Sequence, residues 1–178
     1  MVERMDEAFE LDQRLTVLGA KLEPGQMAPE FELEALTSPN APVTTVRLAD
    51  SAGRVRLLNV VNSLDTPVCH VETRQWDRLR AELPPEVVVY TISMDLPFAQ
   101  ARWRAAEDVG HEALSAHKSE RFGVEYGVLI QEWRLLQRAV FVLDGAGRVA
   151  YAEYVADQMR EPDYAAALAA AKMAADGG

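Results

Sequence analysis

Two short apolar segments, residues 55–61 and 87–92, constrain the fold more strongly than any other feature of this chain. Their length, and the β-branched residues of the second, predict two buried strands. Between them, apolar side chains recur at helical spacing from near residue 67 until Pro84 and Pro85 stop the pattern. This succession predicts strands of one sheet with a helix packed against it.

The rest of the chain adds shorter elements of both kinds. They are predicted as a hairpin over 9–18, strands at 31–35 and 43–48, a helix over 97–110, a strand near 114–115, a helix over 119–126, strands at 139–143 and 148–155 joined by Asp144-Gly145-Ala146-Gly147, and a final helix over 162–174. The order predicts an α/β or α+β core with helices on both faces. No repeat or linker is visible, so residues 1–178 are expected to form one domain.

Charge and composition exclude several classes of protein. Lys and Arg number 18 against 28 Asp and Glu, a net charge of −10, and no basic patch is visible. Nucleic acid and anionic membranes are therefore not expected partners. No apolar run approaches the roughly 20 residues of a spanning helix, and residues 1–9 carry acidic charge rather than a signal sequence. We expect a cytoplasmic protein, which the lone cysteine also favours.

Cys69 is the only cysteine, and it lies where a predicted strand gives way to a predicted helix. Thr66 and Pro67 have the pattern of an N-cap followed by a first-turn proline, which places Cys69 in the first helical turn. The free N–H groups and the positive end of the helix dipole favour an anion there, and a thiolate is one. The alternative is a buried, inert thiol, which is common for cysteine.

Other polar residues carry weaker signals when taken alone. Thr66 has a sufficient explanation as a helix cap, and Arg138 as a surface arginine. His70 adjoins Cys69 but points elsewhere on a helix, and His111 and His117 stand in polar segments, where we expect them to be solvated. None of the three histidines is expected to act as a base.

Several motifs are missing from the sequence. It has no C-x-x-C, no H-E-x-x-H and no G-x-S-x-G, and its Gly145-Ala146-Gly147 stretch opens no helix. No metal and no cofactor are therefore expected. The stripes that contain Trp76 and Trp103 are typical of core.

The segment Ser63-Leu64-Asp65-Thr66-Pro67-Val68-Cys69, followed by Glu72-Thr73-Arg74, resembles the active-site segment of the bacterial thiol peroxidases, a branch of the peroxiredoxins. The similarity runs from about Phe9 to near the C-terminus. Further segments that agree with this branch are 91–100, 122–130, 135–142 and 161–164.

The resemblance implies an α/β, thioredoxin-like fold with a central mixed sheet and an N-terminal β-hairpin, usually as a homodimer. It implies that Cys69 is the cysteine that attacks a hydroperoxide, that the Thr66 hydroxyl bonds thiolate and peroxide, and that Arg138 holds the thiolate and polarises the substrate. The expected activity is reduction of hydrogen peroxide and organic hydroperoxides through a sulfenic acid on Cys69.

Two departures from the family pattern bear on this expectation. The motif begins with a proline seven residues before the cysteine, and here that residue is Asn62. The branch usually carries a second cysteine after Arg-Trp, and here Arg102-Trp103 is followed by Arg104. An external thiol, from a thioredoxin-like protein or a small molecule, must then reduce the sulfenic acid. The alternative is a non-catalytic or redox-sensing member of the same fold.

Overall fold

The computed structural model describes residues 1–177, which form strands and helices in the alternating order that the sequence predicts. The strands are β1 Glu3–Glu10, β2 Gln13–Leu18, β3 Glu32–Ala35, β4 Thr44–Arg47, β5 Arg56–Val60, β6 Val88–Ser93, β7 Glu112–Ser115, β8 Leu129–Ile130, β9 Leu135–Leu136, β10 Ala139–Leu143 and β11 Val149–Tyr154. The α-helices are α1 Pro67–Leu79, α2 Pro97–Glu107, α3 Arg121–Glu125 and α4 Tyr164–Asp176. Among residues 1–177, none of the helices has the length and apolar character needed to cross a membrane.

A seven-stranded mixed sheet forms the centre, in the order β11-β10-β5-β6-β7-β3-β4. Strands β5, β6 and β7 are parallel neighbours, and the other pairs are antiparallel. Every residue of β5 is buried, as expected for a central strand covered on both faces. The expectation of a mixed sheet flanked by helices is confirmed.

Alternate side chains of the sheet face two separate layers. On one face, Leu57 and Val89 pack against Trp76 of α1 and against the small residues of α4. On the other face, Leu58 packs with Phe122 of α3 and its neighbours. The predicted helices on both faces are therefore present.

The pairing of β5 with β10 brings distant parts of the chain together. Ala139 lies opposite Val60 in this antiparallel pair, so Arg138, one residue earlier, lies beside the chain that leaves β5 toward α1. Register in a sheet with two buried faces is strongly specified. The sheet itself therefore positions Arg138 next to the segment that contains Cys69.

The N-terminal hairpin is longer than the 9–18 that the sequence predicts, because β1 begins at Glu3. The pairing of β1 with β2 shifts register between Arg4 and Ala8, and Asp6 has a left-handed φ of 56°. This bulge breaks the alternation of side chains before Phe9, so the sequence predicts only the part of the hairpin that follows it. Strands β8 and β9 extend the hairpin into a second, four-stranded sheet that was not predicted, because two-residue strands leave no periodic signal.

Candidate active site

Cys69 is the third residue of α1, the helix that follows β5 along the chain. Thr66 is the N-cap and Pro67 the first helical residue, as the sequence predicts. The side chain of Cys69 is fully buried, and on one side it packs against Val61, Leu64 and the partly buried Trp103. The thiol is therefore shielded by apolar groups on that side, and polar groups meet it on the other.

Asp95 holds the loop that leads into α1. Its carboxylate accepts hydrogen bonds from the Ser63 hydroxyl at 2.7 Å, from the Leu64 N–H at 2.9 Å and from the Ser93 hydroxyl at 2.7 Å. Ser93 ends β6, the strand beside β5. The start of α1 is thus fixed to the sheet by a charged acceptor with three donors.

Arg138 and Glu72 form a buried ion pair beside the sulfur. Arg138 Nη1 donates to Glu72 Oε2, and the side chains are only 1% and 0% exposed. Arg138 Nη2 also donates to the carbonyl oxygen of Gln158 at 2.8 Å. Arg138 Nη2 and Cys69 Sγ both approach Asn62 Oδ1, at 3.5 and 3.8 Å, so the guanidinium lies near the sulfur. The interpretation of Arg138 as a surface arginine is wrong, and the structure brings it to Cys69.

Burial of the Arg138–Glu72 pair disfavours the charged form of each side chain. Burial by itself would lower the pKa of Arg138, but the negative charges of Glu72 and Cys69 outweigh it and raise that pKa. Burial raises the pKa of Glu72, although the charge and hydrogen bond of Arg138 oppose the rise. The guanidinium is therefore held cationic beside the sulfur, and Glu72 is the residue most costly to leave unpaired.

Asn62 fills the position of the family's proline with a hydrogen-bonded amide. Its Nδ2 donates to the Leu136 carbonyl oxygen at 2.6 Å and to Gln158 Oε1 at 3.0 Å. Its Oδ1 lies 3.8 Å from Cys69 Sγ and 3.5 Å from Arg138 Nη2. The wall of the site at this position is polar.

Gln158 joins the site to the N-terminal hairpin. Its Oε1 accepts from the Arg138 N–H at 2.9 Å as well as from Asn62. Its own N–H donates at 2.9 Å to the carbonyl oxygen of Phe9 in β1, and Phe9 N–H donates to Ala156 at 2.8 Å. The hairpin thereby fixes the loop that carries Gln158.

Thr66 lies at the helix start, but its hydroxyl does not cap the helix. Thr66 Oγ1 donates to the carbonyl oxygen of Ser63 at 2.8 Å, and no side-chain cap bond to the first turn is formed. The hydroxyl oxygen therefore keeps lone pairs that the helix does not use. Thr66 is therefore the N-cap residue that the sequence predicts, but the capping hydrogen bond expected of its side chain is absent.

A cavity of about 280 Å³ opens beside the first turn of α1. Its lining combines polar groups near the sulfur with an apolar outer part: Glu10, Asn62, Thr66, Pro67, Val68, Trp133, Leu135, Arg138, Gln158 and Met159. Cys69 lies behind this lining. A small molecule in the cavity would meet both Thr66 and Arg138.

The three histidines lie away from this cavity, but the expectation that His111 is solvated is wrong. His111 is only 4% exposed, and its ring bonds to Asp77 Oδ1 at 3.1 Å and to Thr91 Oγ1 at 2.8 Å. His117 is partly exposed and bonds to Glu34 at 2.7 Å. His70 accepts from Trp103 Nε1 at 3.2 Å, away from the sulfur. Trp76 is fully buried, whereas Trp103 is only partly so.

Sequence reasoning assigned no role to Glu72 or Gln158. A carboxylate three residues after a first-turn cysteine lies one turn further along the same helix face, and this spacing was the available signal for Glu72. Gln158 has no local signal, because the loop after β11 and the hairpin bring it to the site. Within the described residues, no group of three or more His, Cys, Asp or Glu side chains is arranged to hold a metal ion.

The fold and site together define a peroxiredoxin-type protein with a thioredoxin-like fold. A solved structure, a peroxiredoxin-like protein from Aquifex aeolicus, matches at a TM-score of 0.81 and 30% identity, covering 96% of this chain and 98% of that one. The AhpC/TSA family model matches residues 24–152, and the chain belongs to the AhpC/TSA family.

Two curated relatives narrow the comparison within that family. A thiol peroxidase from Bacillus subtilis is 44% identical over 89% of this chain and 92% of its own length. A thiol peroxidase from Halalkalibacterium halodurans is 45% identical over 90% and 93%. The resemblance to the bacterial thiol peroxidases is confirmed.

Proposed function

We propose that this chain is a thiol-dependent peroxidase that reduces hydrogen peroxide and organic hydroperoxides through a sulfenic acid on Cys69. The observation that carries the proposal is the meeting of a first-turn cysteine with the buried guanidinium of Arg138 beside an open cavity. The relatives named thiol peroxidase support the same activity.

In the proposed reaction, the Cys69 thiolate attacks the terminal oxygen of the hydroperoxide, and the O–O bond breaks. The sulfur is oxidised to sulfenic acid, and the leaving oxygen takes up a proton to give water or an alcohol. Negative charge develops on that oxygen as the bond breaks. The N–H groups of the first turn and Arg138 stabilise this charge, and the Thr66 hydroxyl joins them by turning its O–H from the Ser63 carbonyl oxygen to the leaving oxygen.

The sulfenic acid is then reduced by an external thiol. Cys69 has no second cysteine in the sequence to pair with, and Arg104 stands where the branch usually has one. The reductant we propose is a thioredoxin-like protein or a low-molecular-weight thiol. Without it, sulfinic acid is the expected end state.

The test is peroxide consumption by wild type and Cys69→Ser with each reductant in turn. We expect turnover in wild type and none in the variant, since serine cannot form a sulfenic acid. Equal rates would remove the proposal. A dimedone-type probe separates the redox-sensor alternative, because a sensor is labelled at low peroxide but does not cycle.

We also propose that residues 1–178 form one cytoplasmic domain that pairs as a homodimer. Exposed apolar side chains on α1 and before or within α2, namely Val71, Leu96 and Phe98, support a contact surface. One cooperative unfolding transition and a dimeric mass by light scattering are the expected results. A monomer at micromolar concentration would contradict the pairing.

A further inference from the structure

The orientation of the Asn62 amide is fixed by its neighbours. Its Nδ2 faces two acceptors, the Leu136 carbonyl oxygen and Gln158 Oε1. Gln158 is itself fixed, because its Nε2 donates to the carbonyl oxygens of Val155 and Ala156 at 2.7 and 3.1 Å. A flipped Asn62 would set its oxygen against two acceptors. The Oδ1 atom therefore points toward Cys69.

This oxygen is an acceptor with unused capacity. Asn62 is only 5% exposed, and both contacts of Oδ1 are long, at 3.8 Å to Cys69 Sγ and 3.5 Å to Arg138 Nη2. A carbonyl oxygen has two lone pairs, and a shorter, better aligned donor would bond one of them more strongly than either present contact does. A hydroxyl formed on the sulfur would give it a strong donor.

We propose that Asn62 accepts a hydrogen bond from the sulfenic acid of Cys69 and slows its further oxidation. The inference rests on the proposed function, since it concerns the product of the peroxidase step. In the overoxidation step, the sulfenic sulfur attacks a second hydroperoxide, the O–O bond breaks, and sulfinic acid and water or an alcohol result. The ionised sulfenate is the better nucleophile in that step.

The carbonyl of Asn62 favours the neutral sulfenic acid over the sulfenate. The neutral form donates its O–H to Oδ1, whereas the anion has no proton to donate and faces a carbonyl dipole. Arg138 favours the anion, so Asn62 works against it at the same sulfur. A chain with one cysteine holds its sulfenic acid until an external thiol arrives, and it is this waiting state that Asn62 protects.

The experiment measures the fraction of sulfinic acid formed per turnover, with hydrogen peroxide as oxidant and dithiothreitol as reductant. Intact-protein mass spectrometry counts the oxidised forms of Cys69. We expect Asn62→Ala and Asn62→Pro each to raise this fraction about threefold to tenfold, the range that a hydrogen bond is typically worth. A fraction per turnover does not depend on how fast the first oxidation runs.

Asn62→Pro is the second variant in case Asn62→Ala fails to fold, because proline is the residue that the family has at this position. The backbone N–H of Asn62 donates to no group among the described residues, so proline removes no hydrogen bond there. Asn59→Ala is the matched control, since Asn59 is equally buried in β5 but bonds Thr91 instead. We expect it to keep the wild-type fraction.

The inference is overturned if both Asn62 variants give the wild-type fraction, or if Asn59→Ala raises it equally. Wild type that consumes no peroxide would overturn the proposed function and this inference together. Wild type that turns over normally, with Asn62 variants unchanged, would overturn this inference alone.

Discussion

The proposed function gives Arg138 a chemical role, and its buried ion pair with Glu72 gives it a structural one. Its guanidinium neutralises Glu72 and also faces Cys69. Removing one member of a buried pair leaves an uncompensated charge, whereas replacing both with apolar residues is often neutral or stabilising. The pair therefore allows a double substitution that restores stability without restoring the cation.

We predict that Arg138→Met lowers the free energy of unfolding by about 3–5 kcal/mol. Burial raises the pKa of Glu72, so in the variant this side chain can take up a proton and become neutral. That neutralisation brings the loss of stability toward the lower end of this range. Glu72→Leu combined with Arg138→Met is expected to recover most of that stability and to remain inactive toward peroxide. Urea unfolding and peroxide consumption measure the two effects. A double variant with wild-type activity would contradict the role of Arg138.

Single residues differed in how far the sequence could predict them. The motif from Ser63 to Cys69 is local, so it placed Cys69 and Thr66 correctly at the helix start. Arg138 was singled out by resemblance, because its position depends on strand pairing. Glu72 lies within the same motif, but its contact with Arg138 depends on strand pairing, which no local pattern predicts.

Among the secondary-structure elements, the N-terminal hairpin is held to the rest of the fold by a close backbone approach at Gly19. Gly19 follows β2 with a φ of +94°, and a Cβ there would lie 1.9 Å from the Val124 carbonyl oxygen. Gly25 has nearly the same φ, +93°, with nothing within 4 Å of such an atom. The two glycines share a left-handed φ and differ in what a Cβ would meet.

We predict that Gly25→Ala costs about 1–2 kcal/mol of stability, the price of a left-handed L-residue. Gly19→Ala should cost distinctly more, because its Cβ also collides with backbone and must push the hairpin away from α3. Denaturant unfolding of both variants measures the difference. Equal losses of stability in the two variants would show that the backbone near Gly19 moves aside at no cost, and would contradict the prediction.

Elements with strong patterns were the most predictable. β5, β6 and α1 all begin within two residues of the predicted positions. The α-helix ends earlier than predicted, because the last turn before Pro84 is a 3₁₀ segment. The hairpin and the second sheet were predicted poorly because a bulge breaks one strand and others are two residues long. Periodicity needs several uninterrupted residues to be visible.

At the scale of the whole molecule, a buried polar chain joins strands β5 and β6, the residue just before β7, and helix α1. Asn59 donates to Thr91 at 3.0 Å, Thr91 bonds His111 at 2.8 Å, and His111 bonds Asp77 of α1 at 3.1 Å. A neutral imidazole that accepts from Thr91 and donates to Asp77 uses both ring nitrogens. Burial lowers the pKa of His111, although the hydrogen bond and charge of Asp77 oppose it; Arg80 and Arg104 lower it further.

The lowered pKa gives the protein an acid-sensitive stability. Below the unfolded pKa of about 6.5, the unfolded chain binds a proton that the folded chain resists. The contribution of His111 to the free energy of unfolding is therefore fully present above that pH. It is lost as the pH drops toward the folded pKa, by up to about 1.4 kcal/mol per pH unit.

We predict that, as the pH falls from about 7.5 to 5.5, His111→Gln loses less free energy of unfolding than wild type does, because the histidine's lowered pKa contributes a loss over this range. Glu72, whose pKa burial raises, contributes a slope of the opposite sign to both proteins. His117→Gln, at a partly exposed histidine, should keep the wild-type dependence. Urea unfolding across this pH range gives both slopes. If His111→Gln keeps the wild-type slope of unfolding free energy against pH, groups other than His111 cause the loss of stability in acid.

Because Arg138 reaches the sulfur through the pairing of Ala139 with Val60, the gene should tolerate insertions unevenly. Codons added at Ala146, the exposed residue of the 144–147 turn, would lengthen that turn and leave the alignment of the strands intact. Loss of a single codon within 139–143 would slide the strand by one position and exchange its two faces. Length variation among descendants of this chain should therefore gather at the turn and spare the strand.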